Sequence, residues 1–164
     1  LREASAELEH IGGEAAGQAA VVVDMLRAVD IGEQEETLRD LRRRRPEVAQ
    51  AVMGQMCLET AALVVSPQVV GDAMLRTPIE SLSALARGTR ADVREHLLEH
   101  APSNIRGPLL QEIELEVPAA RSEYLEARAA FTESMASILQ REGEDLVAVN
   151  TRAISAGATP PTPG

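Results

Sequence analysis

Apolar residues recur along this chain at the three- and four-residue spacing of helices. The clearest stripes are Val48, Val52, Met53 and Met56 in one segment, and Tyr124, Ala127, Phe131, Met135 and Ile138 in another. Almost no segment shows the alternation of β-branched and polar residues that is typical of a sheet. The pattern therefore predicts an all-α protein.

Start and stop signals divide the chain into short helices. Gly12 and Gly13 are expected to stop a first helix, and the Ala- and Val-rich residues 14–29 are expected to form a second one, buried on several sides. Further helices are predicted at residues 33–43, 46–57, 89–100 and 118–142, with additional starts at Ser66 and Pro67, at Thr77 and Pro78, and at Ser103. Pro108 predicts a kink or a late start in the helix that Ser103 caps. After Gly143 the pattern fades, and residues 146–164 are predicted to form a disordered tail.

Residues 82–98 predict a sharp corner between two helices. Gly88 is expected to end the first helix in a left-handed conformation, and Thr89 with Asp92 forms a capping signal for the second. Arg87 falls in the last turn of the first helix, where a cation suits the helix dipole. This arrangement would present the charge of Arg87 to a partner.

Composition narrows the class of partner. The chain has no Trp, one Tyr and one Phe, so its core must be built from small side chains on closely packed helices. A net charge of −10 argues against binding to duplex nucleic acid or to an anionic membrane surface. The four arginines at 42–45 are interpreted as the solvated end of a helix, with a nucleic-acid patch as the less favoured alternative. Partners are therefore expected to be proteins.

Cysteine use and hydropathy bear on the location of the protein. Cys57 is the single cysteine, which excludes an internal disulfide and favours a reducing, cytoplasmic setting. It is interpreted as a small buried residue rather than a nucleophile. No apolar run approaches the length that spans a bilayer.

Candidate catalytic chemistry is sparse. Asp92, His96 and His100 share one helical face and could in principle hold a divalent metal ion, but no further Cys or His completes a site. They are interpreted as a solvated helical face. Gly12 and Gly13 lack the preceding strand and the following Lys-Ser/Thr of a phosphate loop. We therefore expect neither an enzyme nor a metal or other cofactor.

The order of several motifs resembles the C-terminal half of the FliG family of flagellar motor switch proteins. The motifs are Gly12-Gly13-Glu14-Ala15-Ala16, Val23-Asp24-Met25-Leu26, Pro46-Glu47-Val48-Ala49, Ser81-Leu82-Ser83-Ala84-Leu85-Ala86-Arg87-Gly88, Arg94-Glu95-His96-Leu97-Leu98 and Arg141-Glu142-Gly143-Glu144. The resemblance covers roughly residues 12–145 with few gaps. It implies a right-handed, armadillo-like stack of short helices in two subdomains joined by a linker.

The resemblance also implies a division of the chain and a hinge. Residues 1–11 would be an N-terminal helix or linker, residues 12–57 an armadillo-like subdomain, residues 58–145 a second helical subdomain with a charged ridge, and residues 146–164 the tail. The family's hinge motif Met-Phe-x-Phe falls at Met56, Cys57, Leu58 and Glu59, so both aromatic residues are replaced.

The family's charged ridge, which faces the stator, is only partly matched. Arg87 and Glu112 match a cation and an acid, and Arg121 matches a second cation if one residue is inserted after Pro118. Arg106 lies close to Asn104, where the family has an arginine, and Gln111 stands in place of the other acid. The ridge implied for this chain is therefore Arg87, Arg106, Glu112 and Arg121.

Three functional hypotheses follow from these observations. The first is a rotor component of the flagellar cytoplasmic ring, bound to the stator's cytoplasmic loop, to a membrane ring protein and to other ring subunits, including copies of itself. The second is a diverged relative that serves as an assembly module of a secretion or motility complex without generating torque. The third, least favoured, is a metal-dependent enzyme. In the first two cases, apolar faces around Val22, Val52 and Met56 either pack on a neighbouring subunit or close on each other within the chain.

Overall fold

Helices account for nearly all of the computed structural model, which describes the backbone of residues 2–115 and 119–157 and the side chains of residues 14–115 and 119–156. They are α1 (Arg2–Leu26), α2 (Ile31–Arg44), α3 (Pro46–Gln55), a 3-10 helix (Glu59–Leu63), α4 (Pro67–Leu75), α5 (Ile79–Gly88), α6 (Ala91–His100), α7 (Ser103–Glu114), α8 (Arg121–Arg141) and α9 (Leu146–Gly157). No strand occurs in these ranges, so the all-α prediction is confirmed for the described part of the chain. Right-handed, armadillo-like stacking stays a prediction.

The longest helix after α1 is α8, and it forms the centre of the larger part of the core. Its predicted apolar stripe is buried along its whole length, and Phe131 and Met135 are completely covered. Helices α4 and α5 pack on this face, and α7 packs on the other side of α5. Because one uninterrupted stripe at helical spacing faces several partners, burial of α8 is the main source of hydrophobic stabilisation here.

The core divides into two clusters near the predicted boundary at residues 57 and 58. One cluster joins α1, α2 and α3, and the other joins the 3-10 helix to α4, α5, α6, α7 and α8. Val52 and Met56 lie inside the first cluster, so these two faces close within the chain, whereas Val22 is half-buried. Helix α9 contributes to both clusters. Whether the clusters behave as separate subdomains stays a prediction.

Helix α1 differs from its prediction in two ways. It continues through Gly12 and Gly13, so neither the predicted stop nor the separate segment at residues 1–11 is observed. Two interior glycines cost only about 1 kcal/mol each, and no competing cap or turn ends the helix there. Over residues 14–26, whose side chains are described, the helix is also buried on one side only. It packs mainly on α3, and Val21 and Met25 are 61% and 57% exposed.

Most predicted helix starts lie within two residues of the observed ones, but α8 begins at Arg121 rather than at residue 118, and no helix begins at Glu14. The predicted capping mechanism also fails in places. Ser66 caps α4, because its hydroxyl oxygen accepts a hydrogen bond from the Val69 amide at 3.4 Å. Thr77 does not cap α5 and instead donates its hydroxyl to the carbonyl of Ala73, in the last turn of α4, at 2.8 Å. Helix α7 begins at Ser103 and continues past Pro108, so the predicted late start is wrong, and the alternative of a kink stays a prediction. Ser103 is the first residue of this helix and makes no capping hydrogen bond, contrary to the prediction.

Gly88 ends α5 as predicted, but not by adopting a left-handed conformation. Among the described glycines, the positive φ angle belongs to Gly143, at 79°. Gly88 is required for a different reason, because the side chain of Tyr124 on α8 occupies the space that a Cβ atom would need. The glycine therefore permits close approach of α5 and α8.

The prediction of a disordered tail from residue 146 is wrong over Leu146–Gly157, which form α9. Leu146, Val149, Ala153 and Ile154 are buried at helical spacing. Asp145 caps the helix by accepting a hydrogen bond from the Val147 amide at 3.0 Å. The apolar spacing and the capping aspartate can both be read from the sequence, but they extend over only 12 residues. Residues 158–164 lie outside the described part of the chain.

Candidate functional site

Arg87, the first of the predicted ridge residues, lies in the last turn of α5 and is half-buried. Its Nε atom donates hydrogen bonds to the carbonyl oxygen of Ser83 at 3.3 Å and to the Ser83 hydroxyl at 3.1 Å. The predicted position at the C-terminus of the helix is confirmed. A cation is favoured there by the helix dipole.

Arg106 closes the end of a neighbouring helix. Its Nε and Nη2 atoms donate to the carbonyl of Leu98 at 3.0 and 2.7 Å, and Nη2 also donates to the carbonyl of Glu99 at 3.0 Å. These are carbonyls of the last turn of α6, which lack partners within the helix. Arg106 therefore links α7 to the end of α6.

Arg121 is the first residue of α8 and connects it to the turn between α1 and α2. Its Nη1 atom lies 2.9 Å from Oδ1 of Asp30, and Nη2 donates to the carbonyl of Ala28 at 3.0 Å. Both partners of the ion pair are more than half exposed, so this pair contributes at most about 1 kcal/mol to stability. Glu112, the predicted acid, is exposed on α7. The predicted ridge residues thus lie on three helices, and all three cations donate hydrogen bonds to groups of their own chain.

The predicted hinge is a buried, extended connection between α3 and the 3-10 helix. Met56, Cys57, Leu58 and Glu59 are all buried. The side chain of Asn150 on α9 holds this segment, since Nδ2 donates to the carbonyls of Met53 at 2.8 Å and Met56 at 2.7 Å. Its Oδ1 atom accepts a hydrogen bond from the Leu58 amide at 3.0 Å. Hinge motion stays a prediction, and any such motion must break these bonds.

Glu59 is the polar centre of the connection, a role that the sequence analysis did not predict. Its side chain is completely buried, and Oε2 accepts a hydrogen bond from the Tyr124 hydroxyl at 2.7 Å. Oε1 accepts from the Thr89 hydroxyl at 2.8 Å. One carboxylate therefore joins the 3-10 helix to α8 and to the end of α5. An isolated Glu gave no signal in the sequence, because the partners are 30 and 65 residues away.

The capping role predicted for Thr89 is wrong, because its hydroxyl is bound to Glu59 and α6 begins at Ala91 after Arg90. The carboxylate of Asp92 does accept a hydrogen bond in the first turn of α6, from the Val93 amide at 2.9 Å. It also accepts hydrogen bonds from Arg90 at 2.7 and 3.0 Å. The Arg90 guanidinium lowers the pKa of Asp92, and Asp92 raises the pKa of Arg90.

Burial raises the pKa of Glu59, since the charged form loses its hydration. The hydrogen bonds from Tyr124 and Thr89 and the positive charges of Arg128 and Arg90 oppose this shift without cancelling it. Burial also raises the pKa of Tyr124, and the negative charge of Glu59 adds to that shift. The pKa of the Cys57 thiol is raised by burial to about 12, so Cys57 is not an activated nucleophile.

Glu59→Gln is expected to remove a pH dependence from the stability of the fold. Because the folded-state pKa of Glu59 lies above the ordinary value of 4.5, the native state holds its proton at pH values where the unfolded chain has released it. The free energy of unfolding of the wild-type protein should therefore fall, relative to that of Glu59→Gln, as pH rises above 4.5. Urea unfolding of both proteins over this pH range measures the difference.

Glu95→Gln provides the matched control for this measurement. Glu95 is exposed on α6, so its substitution should leave the pH profile parallel to that of the wild type. A difference between wild type and Glu59→Gln that stays constant with pH would contradict a raised pKa.

Among the described residues, the fold brings no further metal ligands to the helical face of Asp92, His96 and His100. Within residues 14–115 and 119–156, no three His, Cys, Asp or Glu side chains are grouped to hold a metal ion. Asp92 is paired with Arg90. The rings of His96 and His100 contact each other edge to face, with their centres 4.5 Å apart. Burial, with a smaller contribution from the nearby His100, lowers the pKa of His96.

Comparisons with known proteins do not assign the chain to a family. No protein-family model, curated protein or solved structure gives a significant match. Across the described helices, none combines the length and the apolar character needed to cross a bilayer. The likeness to the FliG family consequently stays a prediction from the motifs.

Proposed function

We propose that this protein is a FliG-like rotor component of the flagellar motor switch. In this role it acts in the cytoplasmic ring at the inner face of the membrane, beside other copies of itself, other ring subunits and a membrane ring protein. Arg87, Glu112, Arg121 and Arg106 contact the cytoplasmic loop of the stator. The chain acts by binding proteins and has no catalytic role.

The observation that carries this proposal is the agreement between helix ends and the motifs of the resemblance. Helix α3 begins at Pro46 and ends just before Met56, where the family places its hinge. Helix α5 ends at Gly88, and Arg87 lies in its last turn. Gly88 also has a clear packing role against Tyr124, which accounts physically for glycine at this motif position.

An assembly module without torque generation is the second candidate, and a specific observation favours it. Arg87, Arg106 and Arg121 all bind carbonyl groups of their own chain, so each has a structural role besides any contact with a stator. Electrostatic matching at an interface depends on several exposed charges acting together. A ridge whose three cations are occupied in this way is a weaker match for a stator.

The test is replacement of the gene in its source organism by variants. Deletion should abolish swimming, and a fluorescent fusion of the wild-type chain should restore it and localise to flagellar bases. Arg87→Glu should localise normally but swim poorly, because it reverses the charge at the proposed stator contact. Circular dichroism of purified Arg87→Glu checks that the variant is folded.

Arg76→Glu is the matched control, since Arg76 is an exposed arginine at the end of α4, outside the proposed ridge. It should swim like the wild type. Normal swimming of Arg87→Glu would reject the stator contact. A pull-down that recovers ring proteins but no stator would favour the assembly module. Absence of the fusion from flagellar bases, with normal swimming of the deletion strain, would overturn the flagellar role itself.

A further inference from the structure

A cleft of about 330 Å³ lies where the end of α1, the end of α3 and the middle of α8 meet. We call it the Arg128 cleft. Arg128 and Arg27 line it, together with the small or apolar side chains of Leu125, Ala129 and Ala136. Its size is at the lower end of the range for small-molecule sites in proteins.

Arg128 carries an incompletely satisfied buried charge. Only 3% of the residue is exposed, and Nη2 donates to the carbonyls of Leu26 at 3.2 Å and Arg27 at 3.0 Å. The Nη1 atom is buried and has no hydrogen-bond partner among the described residues. An unsatisfied buried donor on a charged group is costly, so this atom favours an acceptor placed beside it.

Glu59, a buried acid that lines the same cleft, makes no hydrogen bond to Nη1 of Arg128. Both oxygens of Glu59 accept hydrogen bonds from other groups, Tyr124 and Thr89. The Arg128 guanidinium lies 5.5 Å from the centre of the Tyr124 ring, which stabilises the charge but accepts no conventional hydrogen bond. The Arg128 guanidinium is therefore held at the cleft, while its Nη1 atom donates no hydrogen bond to any described residue.

Arg27 adds a second positive charge to the cleft. Its side chain is 61% exposed, and it is paired only loosely with Asp24, at 3.9 Å. Because such an exposed pair is weak, Arg27 can turn toward an anion in the cleft at little cost. The two arginines thus provide one buried and one movable cation.

We propose that the Arg128 cleft binds a carboxylate on a short apolar stem. The carboxylate accepts hydrogen bonds from Nη1 of Arg128 and from Arg27, and the stem lies along Leu125, Ala129 and Ala136. Inorganic phosphate has no apolar stem to cover these side chains, so it is expected to bind more weakly than a monocarboxylate that has one. This site is independent of the proposed rotor function.

Titration of the full-length protein with butyrate tests the proposal, and the amide chemical shifts of the protein report binding. Residues around Arg128 should shift and saturate, and acetate and inorganic phosphate should bind more weakly than butyrate. Glutamate whose amino and carboxyl termini are both blocked presents its side-chain carboxylate in the same way as a protein does. Tighter binding of this compound than of butyrate would identify a protein as the source of the carboxylate, and the reverse would identify a free acid.

Variants of α8 separate binding from folding. Ala129→Leu fills the cleft and should abolish butyrate binding, whereas Ala130→Leu, at an exposed position on the same helix, should not change it. Arg27→Gln should weaken binding at least about tenfold through loss of a charged hydrogen bond. Arg128→Lys is less informative, because Arg128 also holds the end of α1.

Three results would overturn the proposal. The first is the absence of saturable shifts with butyrate, which would indicate that water alone satisfies Arg128. The second is equal binding of butyrate by Ala129→Leu and Ala130→Leu. The third is binding of phosphate as tightly as butyrate, which would exclude the apolar stem.

Discussion

Gly88→Ala is expected to lower the free energy of unfolding by about 2 to 3 kcal/mol, because the added methyl group has no space beside Tyr124. A Cβ atom on Gly88 would lie 2.7 Å from Cδ2 and Cγ of Tyr124 and 2.8 Å from its Cβ. These atoms are the base of the side chain, and its hydroxyl is held by Glu59 at 2.7 Å. Because Tyr124 is fixed at both ends, α5 and α8 must separate. Urea unfolding followed by circular dichroism measures the loss.

Gly17→Ala is the matched control for this prediction. A Cβ atom on Gly17 would meet nothing within 4 Å, so alanine should be neutral or stabilise α1 by up to about 1 kcal/mol. In a Tyr124→Ala background, the cost of Gly88→Ala should fall but not vanish, since Cγ and Cδ2 are removed while the Cβ atom at 2.8 Å remains. Equal effects of Gly88→Ala and Gly17→Ala, or an unchanged cost in the Tyr124→Ala background, would contradict the packing argument.

Gly88 illustrates how far the sequence predicts this fold. The spacing of Leu82 and Leu85 before a glycine correctly predicts a helix that ends at this point, because periodicity and chain breaks are local properties. The reason for the glycine was not predictable in this way, since Tyr124 is 36 positions away in the printed sequence. The same limit applies to Thr89, whose partner Glu59 is distant in sequence.

The prediction was most accurate where the apolar pattern is long and least accurate where it is short. The stripe on α8 extends over several turns and is buried as expected. Helix α9 has only 12 residues, and it follows Gly143 and precedes a segment rich in Gly, Thr and Pro, so composition outweighed its periodicity. Helix α1 was misjudged because its many Ala and Val residues hide which face is buried.

From the sequence, the candidate site could be predicted only as residue positions, and not as contacts between those residues. The last-turn position of Arg87 follows from local pattern, and the structure confirms it. The bonds of Arg106 to α6 and of Arg121 to the turn after α1 depend on how helices pack, which one sequence does not determine. The unsatisfied Nη1 atom of Arg128 is likewise a property of the packed core.

Helix α9 is expected to be essential to the fold through one polar side chain. Asn150 is completely buried and satisfies two carbonyls and one amide of the segment between α3 and the 3-10 helix. Asn150→Ala leaves these buried backbone groups without partners, and each such loss costs about 1 to 3 kcal/mol. We therefore expect the free energy of unfolding to fall by about 4 kcal/mol, which urea unfolding can measure.

Asn150→Asp separates the lost hydrogen bonds from the cavity that alanine creates. Aspartate has the same shape, but it replaces the amide donor that faces the carbonyls of Met53 and Met56 with an oxygen, so the loss should be at least as large as for alanine. Asn104→Asp, at an exposed position on α7, should have almost no effect. If both variants of Asn150 unfold at the same urea concentration as the wild type, α9 does not hold the connecting segment, and Met56–Leu58 is free to act as a hinge.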